Sequence, residues 1–228
     1  MSPTPTVRPE FARSDVDAVL VGAVGAGGAD RRQTVADAVV EHWRSVTWPE
    51  GLVALHCFTS THSDAVLTYE QWSSEAALRA ALADPASISR ANPGFALATG
   101  PCPEPVAYRR HLTVRGTAVG DPPPPAASFP VAAFPMADRQ TAEQWIEDLL
   151  KSEERAAGKD RAYPGAIAAN MHIGLDGRSV LIFSEWITEQ QAVAHMEVLT
   201  KVMLVDVGNQ EDELGALYAH HASVVLGS

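Results

Sequence analysis

Twice along the chain a short apolar run changes its period at a tryptophan. In residues 180–196, VLIFSEWITEQQAVAHM, a β-prone stretch leads up to Trp186. Beyond it Ala192, Val193, Met196 and Leu199 recur at helical spacing, behind Thr188 as N-cap and Glu189 in the first turn. Residues 66–82, VLTYEQWSSEAALRAAL, have the same form, with Trp72, Ser74 and Glu75 at the corresponding places. The match extends without a gap back to Gly51 and Gly165, and seven residues (Gly51, Ala54, Val66, Leu67, Trp72, Glu75 and Ala80) are identical to their partners over 32 positions. A repeat this long suits a duplicated domain rather than a solenoid unit.

The pattern predicts, in the first half, a strand near 16–24, a helix near 31–46, strands near 51–59 and 65–72, a helix near 74–83, a Pro-interrupted irregular stretch and a strand near 105–115. The second half repeats it: a strand at 129–136, a helix at 139–156, strands at 165–173 and 179–186, a helix at 188–203 and a strand at 216–226. LDGRS at 175–179 carries the Asp-Gly signal of a hairpin turn. YRRHLTV and YAHHASV correspond in the two closing strands. Four consecutive prolines in GTAVGDPPPPAAS bar both helix and central strand, so the expected division is 1–116, a linker at 117–127, and 128–228. The order βαββαβ is the ferredoxin-like pattern. The expected fold class is therefore α+β, two tandem ferredoxin-like domains packed sheet to sheet as an intramolecular barrel.

Composition narrows the chemistry. A net charge of −11 argues against nucleic-acid or anionic-membrane partners, and no apolar run approaches membrane-spanning length. The polar, Pro-rich MSPTPTVRPE is unlike a signal or transit peptide, so a soluble cytoplasmic protein is expected, as a pseudo-dimeric monomer or a homodimer. Two cysteines, Cys57 and Cys102, make neither a disulfide framework nor a metal cluster. GAVGAGGAD at 22–30 follows a strand, but Asp30 stands where a dinucleotide fingerprint needs its third glycine. His220 and His221 are adjacent on a strand and point to opposite faces. No metal and no organic cofactor is expected.

Strand alternation nominates the site. Ile167, Ala169, Met171 and Ile173 form an apolar set suited to a helix-packed face, leaving Ala168, Asn170 and His172 toward a cleft. By the same register Ala54, His56 and Phe58 point there in the first repeat. Leu181 and Phe183 are expected under the helices, which puts Ile182, Ser184 and Trp186, and their counterparts Thr68, Glu70 and Trp72, on the cleft side. Aromatic surface with a few polar groups is the make-up of a small-molecule site. Each residue also has a plainer reading: the tryptophans as plugs of a sheet–helix corner, the histidines and Asn170 as satisfied polar groups, Glu70 as a solvated carboxylate.

TYEQWSSEAALRAAL and IFSEWITEQQAVAHM resemble the strand-Trp-helix segment of the antibiotic-biosynthesis-monooxygenase family, within the dimeric α+β barrel superfamily. AANMHIGLDGRSV and EPVAYRRHLTV are similar to segments of members that oxidise aromatic polyketides to quinones. The resemblance covers most of both halves and implies a cofactor-independent monooxygenase acting on a phenol or anthrone with O₂. It implies catalytic roles for His172 or His56 as base, Asn170 as oxyanion holder, and Trp186 and Trp72 against the ring. Thr68, Glu70, Phe58, Ser184 and the helix residue His195 would complete the substrate contacts. Thr68 and Ile182 stand where quinone-forming members carry a polar amide. The alternatives are a non-oxidative polyketide cyclase or isomerase, and a non-catalytic aromatic-ligand-binding protein. Haem degradation, with His195 as axial ligand, falls behind because the first strand of neither half has the asparagine such members carry.

Overall fold

The computed structural model describes residues 8–84, 97–118, 120, 124–157, 163–203 and 216–226, so much of the Pro-interrupted stretch after the second helix and two of the four consecutive prolines, Pro122 and Pro123, lie outside the described residues. Among the described residues eight strands and four helices follow one another as β1 (Ala18–Gly25), α1 (Arg32–Ser45), β2 (Leu52–Ser60), β3 (Ala65–Trp72), α2 (Glu75–Ala83), β4 (Val106–Arg115), β5 (Phe129–Pro135), α3 (Arg139–Ala157), β6 (Ala166–Gly174), β7 (Ser179–Trp186), α4 (Glu189–Met203) and β8 (Ala216–Val225). The expected α+β class and both runs of βαββαβ are present. Ser74 and Thr188 cap α2 and α4 as predicted, accepting from Ala77 N at 3.1 Å and Gln191 N at 3.3 Å. Asp138 does the same for α3 through Thr141 N at 2.8 Å.

Two compact units divide the chain differently from the linker. The first is 1–109 with 219–228, and the second is 110–218. In the first the strands run β4-β1-β3-β2-β8, and in the second β8-β5-β7-β6-β4, so β4 and β8 each give residues to both sheets. The identical glycines of the repeat have one conformational cause. Gly51 and Gly165 sit at φ 86° and 89°, and their carbonyls accept from Ser73 N and Ile187 N just past each tryptophan.

Hairpin register corrects the facing expected for β3 and β7. Met171 pairs with Ile182 and Ala169 with Ser184, while Asn170 pairs with Phe183 and His172 with Leu181. Antiparallel partners share a face. Met171, Ile173 and Val180 pack beneath Ala142 and Ile146 of α3, and Trp186 beneath Ala192 of α4. The helix-covered side thus carries Ile182, Ser184 and Trp186, and the opposite side carries Asn170, His172, Leu181 and Phe183. The first unit behaves alike. Cys57, whose Sγ approaches Ala36 O of α1 at 4.0 Å, pairs with Thr68, whereas His56 pairs with Tyr69. Thr68, Glu70 and Trp72 are therefore under the helices, and Ala54, His56 and Phe58 on the other face. Both faces are apolar and buried, so hydrophobicity could not tell them apart.

Candidate functional site

On the helix side of the second unit a cavity of about 110 Å³ opens between sheet and helices. Its floor is Ala169 and Met171 of β6, Ile182, Ser184 and Trp186 of β7, and Pro130, Ala132 and Phe134 of β5. Leu149 and Glu153 of α3, His195 and Met196 of α4, Tyr163 and Arg115 complete it. Measured against the roughly 10–15 Å³ that one water occupies on the same scale, it has room for a ring system rather than an ion. A bulge between Ala166 and Ala168 turns the strand so that Ala168 also reaches the lining.

His195 is held between two rings: Trp186, with centroids 4.8 Å apart and planes at 35°, and Tyr163 at 4.6 Å and 67°. Burial pushes its pKa down to about 4, so at neutral pH it is an uncharged imidazole that can donate and accept. As a base toward a phenol of pKa about 10 it would work uphill by about 8 kcal/mol unless the anion formed is stabilised beside it. Stacking and hydrogen bonding suit it better than unaided proton abstraction.

The nominated Asn170 and His56 belong instead to two hydrogen-bonded chains at equivalent places, one in each unit, on the face away from the helices. In the second unit Arg110 Nη1 donates to Thr113 Oγ1 at 3.4 Å, and Thr113 donates to Asn170 Oδ1 at 2.9 Å. Asn170 Nδ2 in turn donates to Glu185 Oε1 at 3.0 Å and Phe183 O at 3.3 Å. In the first unit His220 Nε2 meets Ser223 Oγ at 2.8 Å, Ser223 Oγ meets His56 Nδ1 at 2.6 Å, and His56 Nε2 meets Gln71 Oε1 at 3.1 Å. Gln71 Nε2 donates onward to Glu10 O at 2.8 Å. Gln71 Oε1 can only accept, so His56 carries its proton on Nε2, Ser223 donates to Nδ1, and His220 donates to Ser223. Burial pushes His56, His220 and His172 down to about 4 and lifts Glu185 to about 7. Phe58 lies 5.5 Å from the ring of His220, and Phe11 covers His56 at 6.1 Å.

Of the nominated residues, Trp186, Ser184 and His195 meet in one cavity. Asn170 and His172 lie on the opposite face of the same sheet, with Asn170 already engaged on its oxygen and its nitrogen. In the first unit Thr68, Glu70 and Trp72 share the helix face, and His56 and Phe58 the other. Sequence reasoning missed Thr113, Ser223, Gln71 and Glu185. The matched YRRHLTV and YAHHASV segments had put a hydroxyl at the same place in each half, and that was the available signal.

The Gly-rich loop has a use of its own. Gly27 N and Gly28 N donate to Asp64 Oδ2 at 2.8 and 3.1 Å, so an internal carboxylate takes the amides a phosphate would need. Cys57 is buried and Cys102 exposed, both as free thiols, and among the described residues no group of three His, Cys, Asp or Glu is placed to hold a metal ion. No helix of the described residues is long and apolar enough to cross a membrane.

No protein-family model matches the chain, and no curated protein matches it in sequence. Solved structures do. An anthrone oxidase-like protein is similar over 94% of this chain and 95% of its own, with TM-score 0.70 at 15% identity. A candidate monooxygenase of Fusobacterium nucleatum subsp. nucleatum ATCC 25586 covers 95% and 97%, with TM-score 0.54 at 10% identity. A chlorite dismutase variant from Candidatus Nitrospira defluvii covers 92% and 93%, with TM-score 0.52 at 12% identity. At such identities the likeness is one of fold: this chain has the α+β fold of monooxygenase-like proteins.

Proposed function

We propose that the protein is a monooxygenase that oxidises an aromatic polyketide-type phenol or anthrone to a quinone with O₂, the substrate itself supplying the electrons and no cofactor taking part. The observation that carries this reading is the cavity lined by the aromatic rings of Trp186, His195 and Tyr163, with a hydroxyl at Ser184 and a cation at Arg115. The likeness in fold to an anthrone oxidase-like protein supports it. For an anthrone, the ring methylene and O₂ give a carbonyl and one water. The oxygen adds to the carbanion after one-electron transfer, and the peroxide then loses water. The protein's part is to bind the ring, favour the anion beside Arg115 and His195, and keep bulk water out. Asn170, His172, His56 and Trp72 enter as positioning residues of the two sheets. The same proposal takes the chain as a tandem repeat, 1–116 and 128–228 joined at 117–127.

Oxygen uptake with 1,8-dihydroxyanthrone tests it. The wild type is expected to consume one O₂ per anthraquinone formed, and Trp186→Ala to lose at least about tenfold in kcat/KM, the scale of losing one well-placed contact to the transition state. A cyclised or isomerised product without O₂ uptake would refute the oxygenase. The low basicity of His195 and the engagement of Asn170 favour a second reading, a protein that binds aromatic ligands without turning them over. Tight binding with neither O₂ uptake nor product would establish that one.

A further inference from the structure

The cavity floor of the second unit is built in rows, and the rows differ in chemistry. Antiparallel pairing sets Ala132, Ile182 and Met171 side by side in one row, and Ser184 with Ala169 in the next. Trp186 and Ala166 form the third. Successive rows are two residues apart along each strand, about 6.7 Å. Ile182 packs with Met171 and with Leu149 of α3 in one cluster, whereas Trp186 packs with Tyr163 and Met196 in another. The cavity thus joins an apolar end to an aromatic one.

The first row offers a ligand no hydroxyl, amide or charged group. The second and third rows do. Ser184 and His195 line the cavity, and neither makes a hydrogen bond among the described residues. Arg115 lies toward the same end, since the next residue, Gly116, donates from its N to Ile167 O at 2.8 Å. Ile182 and Ser184 are both half-buried, although Leu181 and Phe183 on the opposite face are sealed at 2% and 0% exposure. The first half of the chain has a hydroxyl, Thr68, at the place of Ile182, so the all-carbon side chain is a property of this cavity and not of the repeat. A ligand hydroxyl laid on the first row loses its water and finds no partner, which is costly. One laid beside Ser184 and His195 meets groups able to donate or accept.

We infer that Ile182 is a specificity-determining residue, and that the cavity takes polycyclic aromatic ligands whose oxygens are gathered at one end, the far ring being bare or alkylated and seated on Ala132, Ile182 and Met171. The inference rests on the reading above for the aromatic class of the ligand, and narrows that class. In an anthrone the carbon that gains oxygen lies across the ring from the oxygen that carries the anion's charge. Seated this way, the charge falls among the polar groups and the reacting carbon over the apolar row.

The test uses 1,8- and 1,5-dihydroxynaphthalene, isomers with the same two hydroxyls placed on one edge or at opposite ends. Calorimetric titration under nitrogen reads binding without oxidation. The wild type should bind the 1,8 isomer at least about tenfold more tightly, within the roughly hundredfold by which an apolar pocket rejects an added hydroxyl. Ile182→Thr, which installs the residue of the first half, should lower that ratio at least about threefold by tightening the 1,5 isomer, the scale of one hydrogen bond gained. Ser184→Ala should lower it at least about threefold by weakening the 1,8 isomer. Comparing ratios between variants removes any difference in how water solvates the two isomers. A smaller ratio in the wild type, binding of neither isomer, or a smaller fall in a folded Ile182→Thr overturns the inference. Should Ile182→Thr not fold, Ser184→Ala decides: an unchanged ratio overturns it and the expected fall upholds it. The isomer preference without O₂ uptake by 1,8-dihydroxyanthrone would sink the oxygenase and leave this specificity standing. O₂ uptake with equal binding of the isomers would do the reverse.

Discussion

Glu185→Gln isolates what the second unit's buried chain costs. The carboxyl accepts from Asn170 Nδ2, and a glutamine Oε1 can accept the same bond, so the change removes ionisation and little else. Burial raises the pKa from 4.5 to about 7, with Asn170 opposing. Because the folded value lies above the unfolded one, the stabilisation is fully present below 4.5 and is lost as pH rises through 7. The whole effect is about 3 kcal/mol at about 1.36 kcal/mol per pH unit. At about pH 5.5 some 1.4 kcal/mol is already gone, so about 2 kcal/mol remains to be lost by about pH 8.5. Glutamine loses nothing over that range. The difference in unfolding free energy between variant and wild type should therefore shift in favour of the variant by about 2 kcal/mol between those two pH values. Urea denaturation followed by tryptophan fluorescence reads this as a relative shift in midpoint of about 1 M for an m-value of about 2 kcal/mol/M. Other titrating groups cancel in the difference. The same difference at both pH values would show that Glu185 is not held in a desolvated place.

Three further outcomes follow from the same geometry. Ser223→Ala removes the donor to His56 Nδ1 and the acceptor for His220, and should cost about 1–3 kcal/mol in urea unfolding, the range for stranding a buried polar group; a loss under about 0.5 kcal/mol would mean that the chain is not a structural link. Gly51→Ala should lower the melting temperature by several degrees, since the residue sits at φ 86° and a new Cβ would meet Ala77 Cβ at 2.5 Å, a strain of about 1 kcal/mol or more. His56, His172, His195 and His220 all titrate near 4 when folded, below the 6.5 of the unfolded chain, so their contribution is present above 6.5 and lost as pH falls toward 4. Four such groups outweigh Glu70 and Glu185, and the urea midpoint should drop steadily over that interval; a flat or rising midpoint contradicts the burial of these histidines.

The elements were legible because period, caps and turn agreed. Thr188 and Ser74 announced their helices, and the change of period at Trp72 and Trp186 marked the junctions. The facing of β7 went wrong although the information was present. With Asp176-Gly177 as the turn, Leu175 lies opposite Arg178, so odd residues of β6 must share a face with even residues of β7. Met171 then faces with Ile182, as observed. Choosing the helix side by hydrophobicity overrode that parity, since Leu181 and Phe183 are as apolar as Val180 and Ile182 in a sheet buried on both faces. The edge-on contact of Tyr163 with His195 was beyond reach, because no local pattern links a loop residue to a helix 32 positions later. Glu70 was nominated for the cleft, with a solvated carboxylate as its plainer reading, because sequence carries no measure of what covers a strand.

Strands β4 and β8 each supply residues to two sheets, and this bears on how the chain can be cut. A fragment ending at the linker would contain β1 to β3 and all of β4, but not residues 219–225 that lie beside β2. Its β2 edge would then offer a row of unpaired amides and carbonyls, a template for strand addition by another molecule. The complementary fragment would lack residues 110–115 beside β6 and carry the same liability there. The two compact units are discontinuous in sequence, and a cleavage or insertion in the proline-rich connection is safer than removal of either half.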